Sequence, residues 1–169
     1  MSDPNVQESA PFALRSVYLR EAKQWMADGF DPTLPGQPLI GQFRAPGHRV
    51  EVQEIVENIA GAETIRTCRV TSSFEFRYLN TPSDIQVDAQ NDEQDDSKYL
   101  VAEILAHITV DYLITSTEIP PQEKIEQWAT SSALFHCWPY WREFCHSTLL
   151  RMNLPITMMP MMEINNKAD

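Results

Sequence analysis

Within Lys98–Thr115, apolar residues hold one parity without a break. Leu100, Ala102, Ile104, Ala106, Ile108, Val110, Tyr112 and Ile114 share one parity. Glu103, His107, Thr109 and Asp111 share the other with Val101, Leu105 and Leu113. A period of two over this length predicts one long strand, buried on one face and mixed on the other. The segment before it behaves alike: Cys68, Val70, Phe74, Phe76 and Tyr78 alternate with Arg69, Thr71, Ser73, Glu75 and Arg77. Residues 80–97 join the two, so they read as an antiparallel hairpin with a long loop.

Two earlier segments, Phe12–Trp25 and Val50–Ile59, carry apolar residues on both parities. That pattern fits strands covered on both faces, although composition alone also fits helix; we read them as strands. Between them, Met26–Arg49 holds Pro32, Pro35, Pro38 and Pro46 with Gly29, Gly36, Gly41 and Gly47. Regular helix or central strand is not expected there. Yet Phe30, Leu34, Leu39, Ile40 and Phe43 make it too apolar for a plain solvated loop. It is expected to pack over the core, to line a binding groove, or both. The C-terminal third reads as two helices. The first starts at Pro120-Pro121, with Pro121 at the first helical position, and has Ile125, Trp128, Ala129 and Ser132 on one face. The second begins near Pro139, with Trp138, Trp141, Cys145, Thr148 and Met152 as a stripe, and ends at Pro155. Met158, Met159, Met161 and Met162 around Pro160 predict an apolar strap or an adaptable contact surface.

The chain has 169 residues and a formal net charge of −11. This length suits one domain with a real core. The acidic balance argues against nucleic acid, whose phosphates repel it, and against an anionic membrane surface. No apolar run is long enough to span a bilayer. The opening residues MSDPNVQES lack the basic and apolar regions of a secretion signal, so a cytoplasmic location is expected. Residues 84–96 contain six acids and no base, so without them the net charge falls to −5. Roughly half the charge therefore belongs to one polar, apolar-poor loop.

Chemistry-bearing motifs are few. No glycine-rich phosphate loop, zinc-protease helix, nucleophile elbow or calcium loop appears. No pair of acids has a spacing that suggests a poised dyad. Cys68, Cys137 and Cys145 are odd in number and include no CxxC pair, against a disulfide framework. His136, Cys137, Cys145 and His146 lie close in sequence without helical ligand spacing, so packing and surface roles are expected and no metal. The chain reads as a binding protein that needs no cofactor, rather than an enzyme.

Leu134-Phe135-His136-Cys137-Trp138-Pro139-Tyr140-Trp141-Arg142-Glu143, followed by Arg151-Met152-Asn153-Leu154-Pro155, resembles the C-terminal signature of the SecB family of export chaperones. Pro139, Tyr140, Arg142, Glu143, Arg151 and Pro155 match without a gap. Phe12–Glu21 is similar to the family's first strand. Trp141 stands where the family has alanine, and Met152 where it has glycine. The order of strand, apolar crossover, three strands and helices matches over about 12–160. The resemblance implies an α+β fold: a four-stranded antiparallel sheet, a long crossover loop between the first two strands, and two C-terminal helices packed on one face. A single domain over 12–162 is expected, with 1–11 a flexible N-terminus and 163–169 a short tail.

The resemblance also implies ATP-independent holding of unfolded polypeptides in an apolar groove. Carried over, Trp25, Phe30, Leu34, Leu39, Ile40, Phe43 and Tyr140 are its candidate lining. Glu21 and Glu103 fall near acidic positions through which the family engages the motor ATPase SecA. Family members are homotetramers, dimers of dimers built by joining sheets and packing helices. The expected clients are unfolded preproteins or, as for some SecB-like proteins, an antitoxin of a toxin–antitoxin system. From other classes, a small-molecule carrier or enzyme with a lid loop, or an adaptor for one folded partner, would fit the same elements.

Overall fold

The computed structural model describes residues 11–56, 64–81, 97–116, 118–157 and 159. Four strands lie in chain order: β1 (Phe12–Met26), β2 (Leu39–Val56), β3 (Thr64–Asn80) and β4 (Leu100–Ile114). A 3-10 turn at Ser97–Tyr99 leads into β4, and one helix, α1 (Gln122–Arg151), follows it. The strands form one antiparallel sheet in the order β1-β4-β3-β2. The expected hairpin is present: Val70 stands opposite Val110 and Phe76 opposite Ile104. The acidic stretch 84–96, residues 1–10 and the tail 163–169 lie outside the described residues.

The two central strands obey the alternation. Ala102, Ile104, Ala106, Ile108, Val110 and Tyr112 are buried beneath α1 together with Cys68, Val70, Phe74, Phe76 and Tyr78. The other face is polar. Arg69 donates to both Asp111 carboxylate oxygens at 2.7 and 3.1 Å. Thr71 and Thr109 share a hydrogen bond of 3.0 Å, and Ser73 bonds His107 at 2.8 Å. These are directly opposed cross-strand pairs, the unit by which one sheet face gains stability.

The crossover is shorter than expected. β2 begins at Leu39 rather than Val50, so Leu39, Ile40 and Phe43 are strand residues and the loop runs over 27–38. Pro46 is compatible with this because β2 is an edge strand and its register breaks between Arg44 and Gly47. An edge at a bulge is where a missing N–H costs the sheet nothing.

The two predicted helices are one. Gln122–Arg151 is continuous, with Pro121 at its N-cap and Pro139 inside. Pro139 withholds one backbone hydrogen bond, a defect of about 3 kcal/mol in an isolated helix. Tertiary burial offsets it. Ile125, Ala129, Ala133, Cys137, Trp141, Cys145 and Leu149, each four residues apart, are all essentially inaccessible. A spacing of four drifts by about 40° per step, so the contact face turns as the helix crosses the twisted sheet. Alanines and cysteines in this row let the backbone approach the strands closely.

Ring contacts fix both ends of the helix. Trp128 stacks on Phe12 with centroids 4.0 Å apart and meets Tyr112 edge-on at 4.5 Å. The Tyr112 hydroxyl, in turn, bonds His136 at 2.8 Å. In the second half, Trp141 stacks on Phe74 at 5.4 Å. The helix stops in a Schellman turn: Leu154 N–H bonds the Leu149 carbonyl and Asn153 N–H the Leu150 carbonyl. Asn153 sits at φ +55, the left-handed position this turn demands.

Candidate functional site

The crossover between the outer strands is tied down by its own side chains. Asp31 accepts from the Thr33 hydroxyl at 2.7 Å and the Thr33 N–H at 2.9 Å. Those bonds hold the Asp31 carboxyl below its usual range. Gln37 donates back to the carbonyls of Asp31 and Leu34. Gly29 and Gly36, at φ +83 and +77, supply the left-handed bends. The loop is therefore a set of hydrogen-bonded turns that delivers Phe30 to the core.

Three of the seven sequence-predicted lining residues pack against the core. Phe30, Leu39 and Phe43 are half-buried against the helix-side core. Phe43 meets Trp138 edge-on at 5.2 Å and lies 6.4 Å from Trp141. Leu34 is exposed on the loop, and Tyr140 is exposed on the outside of α1. Ile40 stands opposite Leu79 and, by alternation with Gly41 and Phe43, belongs to the sheet's other face. Trp25 is also on that other face: it pairs with Glu103, and its indole N–H donates to the Glu103 carboxylate at 3.0 Å.

Glu21 and Glu103 do share one sheet face, four positions apart along β4. Both are already engaged, Glu21 by Lys23 at 3.2 Å and Glu103 by Trp25. The face as a whole mixes signs. Asp111 is met by Arg69, Glu75 by Arg44 and Arg77, and Glu51 by Arg49. At mid-sheet it carries a polar trough of about 440 Å³ that includes Arg20, Thr71, Ser73 and His107.

Sequence reasoning did not name the groove on the outer side of α1. It measures about 380 Å³ and is lined by Pro139, Arg142, Glu143, His146, Ile156, Thr157 and Met159. Its far wall is the chain after the helix, which turns back along it. The Tyr78 hydroxyl anchors this strap, donating to the Pro155 carbonyl at 2.7 Å with Thr157 Oγ1 at 2.6 Å. The signal was the methionine run: Met159 is buried, while Met158, Pro160, Met161 and Met162 lie outside the described residues. Gly41 completes the arrangement. A Cβ there would stand 2.9 Å from the Phe76 ring and 3.2 Å from both Thr157 and Tyr78.

Burial pushes the thiols of Cys68 and Cys137 up to about 11 and that of Cys145 up to about 12, the opposite of an activated nucleophile. Among the described residues no cluster of ligating side chains could hold a metal ion. Nor is any described helix long and apolar enough to cross a membrane.

No protein-family model matches the chain, and no curated protein matches it by sequence. Solved structures do. The Mycobacterium tuberculosis SecB-like chaperone Rv1957, in complex with a ChAD peptide from the Rv1956 HigA1 antitoxin, superposes with a TM-score of 0.59. The likeness covers 91% of this chain and 92% of that one at 18% identity. The fold is thus SecB-like, an antiparallel sheet with a C-terminal helix.

Proposed function

We propose that this protein is a SecB-like molecular chaperone that holds non-native polypeptide without ATP and without catalysis. The observation that carries the reading is the shared fold over nearly the whole chain. The helix signature around Pro139–Glu143 and the half-buried apolar residues Phe30, Leu39 and Phe43 support it. An unfolded chain exposes aliphatic and aromatic side chains, and covering them releases water. Several weak contacts along one client add as avidity, so no single sequence need be specified. The test is aggregation of a chemically denatured client on dilution. Stoichiometric chaperone should suppress it, and unchanged light scattering would remove the proposal.

A client drawn from a toxin–antitoxin system is favoured over export. The structural neighbour carries an antitoxin peptide. Calorimetric titration with SecA should then give no heat of binding, whereas an unfolded antitoxin segment should bind.

The proposed assembly is a cytoplasmic homotetramer. β1 is an edge strand with Leu14 and Leu19 exposed on one face and Tyr18 and Trp25 on the other. A strand apolar on both faces suits pairing with a second copy. Phe135, Tyr140 and Leu150 on the outside of α1 are each about half exposed and suit a second contact between dimers. Light scattering should read about 78 kDa, four times 19.4 kDa. A mass of one chain would rule the assembly out.

A further inference from the structure

One row of residues crosses the whole sheet. Glu21 on β1, His107 on β4, Ser73 on β3 and Gly47 on β2 are successive cross-strand partners. Both edge strands carry one inserted residue where they reach this row. On β1, Leu19 faces Ile108 and Glu21 faces His107, so Arg20 is the insertion. On β2, Arg44 faces Glu75 and Gly47 faces Ser73, again with one residue more than the partner strand. A bulge bends its strand and re-aims a side chain. The polar trough of about 440 Å³ lies at this level, with Arg20, Glu21, Ser73 and His107 in its lining. We propose that the trough binds a phosphate group, held by the Arg20 guanidinium and the His107 imidazole.

The ligand class follows from charge. The chain carries a net −11, yet this trough holds a base in excess. Its two carboxylates are each met by a cation, Glu21 by Lys23 at 3.2 Å and Glu51 by Arg49. Among the described residues, Arg20 has no carboxylate partner. A guanidinium presents a planar fork of N–H donors that grips two phosphate oxygens together. Beside it, the Ser73 hydroxyl bonds His107 Nδ1 at 2.8 Å, which leaves Nε2 for a ligand. A hydroxyl either donates or accepts, so this bond holds the ring whichever nitrogen carries the proton.

Other occupants fit less well. The lining contains no large apolar side chain to cover an apolar client segment. Among the described residues, no group of ligating side chains could hold a metal ion. The site is also open. A Cβ on Gly47 would meet nothing within 4 Å. Pairing of β1 with a second copy would use backbone groups in the plane of the sheet and leave this face uncovered. The volume is many times the ~30 Å³ of one water, so a phosphate ester has room as well as the free ion.

Calorimetric titration of the full chain with inorganic phosphate and with phosphoserine tests the site, chloride holding the ionic strength constant. At least one of the two should show one saturable site per chain. Arg20→Gln should weaken it about tenfold or more, the effect of losing a charge-assisted hydrogen bond, and His107→Gln about fivefold. Lys124→Gln removes the same charge from α1, outside the trough, and should bind as the parent chain does. Arg20 and Lys124 are both exposed, so neither variant is expected to lose the fold. Tighter binding of phosphoserine identifies an ester as the ligand, and equal or weaker binding identifies the free ion. Absence of saturation with both probes overturns the inference. Equal weakening by Arg20→Gln and Lys124→Gln does so too, because net charge alone would then be responsible. Suppression of client aggregation is a separate readout, so failure of this site leaves the chaperone reading intact.

Discussion

Trp141 is the most informative single position. It is fully buried, stacked on Phe74, and 6.4 Å from the rings of both Phe43 and Phe144. Its indole N–H nevertheless reaches no acceptor. Two effects therefore oppose each other in Trp141→Phe. The smaller ring leaves a void of a few tens of Å³, about 1 kcal/mol at ~24 cal/mol per Å³. Removing a buried unpaired donor recovers about 1–3 kcal/mol. The net effect should lie between no change and a gain of about 2 kcal/mol, the difference of the two terms. Trp141→Ala has no such compensation and should cost about 3–5 kcal/mol, since it also removes the Phe74 stack. Urea titrations at one fixed protein concentration measure both, which keeps any assembly contribution constant. A loss of more than about 2 kcal/mol in Trp141→Phe, with the slope unchanged, would show that the indole N–H has a partner and refute the reasoning.

Three further outcomes follow from local geometry. His48 is half-buried against Ser72 at 2.9 Å, and burial lowers its pKa from the ordinary 6.5. The unfolded chain thus binds a proton there more readily, so this contribution to stability is complete above pH 6.5 and is lost as pH falls through the lower folded value. His48→Asn should flatten the stability profile between neutral and mildly acid pH, and a profile parallel to that of the parent chain would count against it. Cys68, Cys137 and Cys145 should resist iodoacetamide at mildly alkaline pH until urea unfolds the chain, because burial holds all three thiols protonated; labelling of the native protein would contradict this. Asn153, at φ +55, should accept glycine with a change under about 1 kcal/mol, whereas valine should cost about 1–2 kcal/mol. Equal melting temperatures for the two variants would exclude a backbone cause.

Much of the sheet was legible because period two is a local property. On β3 and β4 the residues of the apolar core cluster are the ones the alternation marks. The end of the helix was legible too, since Pro155 disfavours helix at the residue before it. The single helix was not legible. A lone proline and two differently oriented apolar stripes read as two helices, whereas the stripes are one row of every fourth residue turning around the axis. Only the twisted sheet beneath makes that row a continuous contact. The start of β2 was hidden for a related reason: Pro46 and the glycines oppose a strand locally, and only the edge position and the register break make one possible there.

The candidate site divides in the same way. By itself, the sequence asked cover for Phe30, Leu34, Leu39, Ile40 and Phe43, because apolar area favours burial; the structure half-buries Phe30, Leu39 and Phe43 against the core and leaves Leu34 exposed. The tertiary structure alone decided that Phe43 meets Trp138 and Trp141 while Trp25 and Ile40 go to the opposite face. It also decided that Glu21 and Glu103 are met by a lysine and an indole from a neighbouring position and strand. Which face a strand residue takes depends on its register with the next strand, and a register is a relation between distant segments that no local pattern contains.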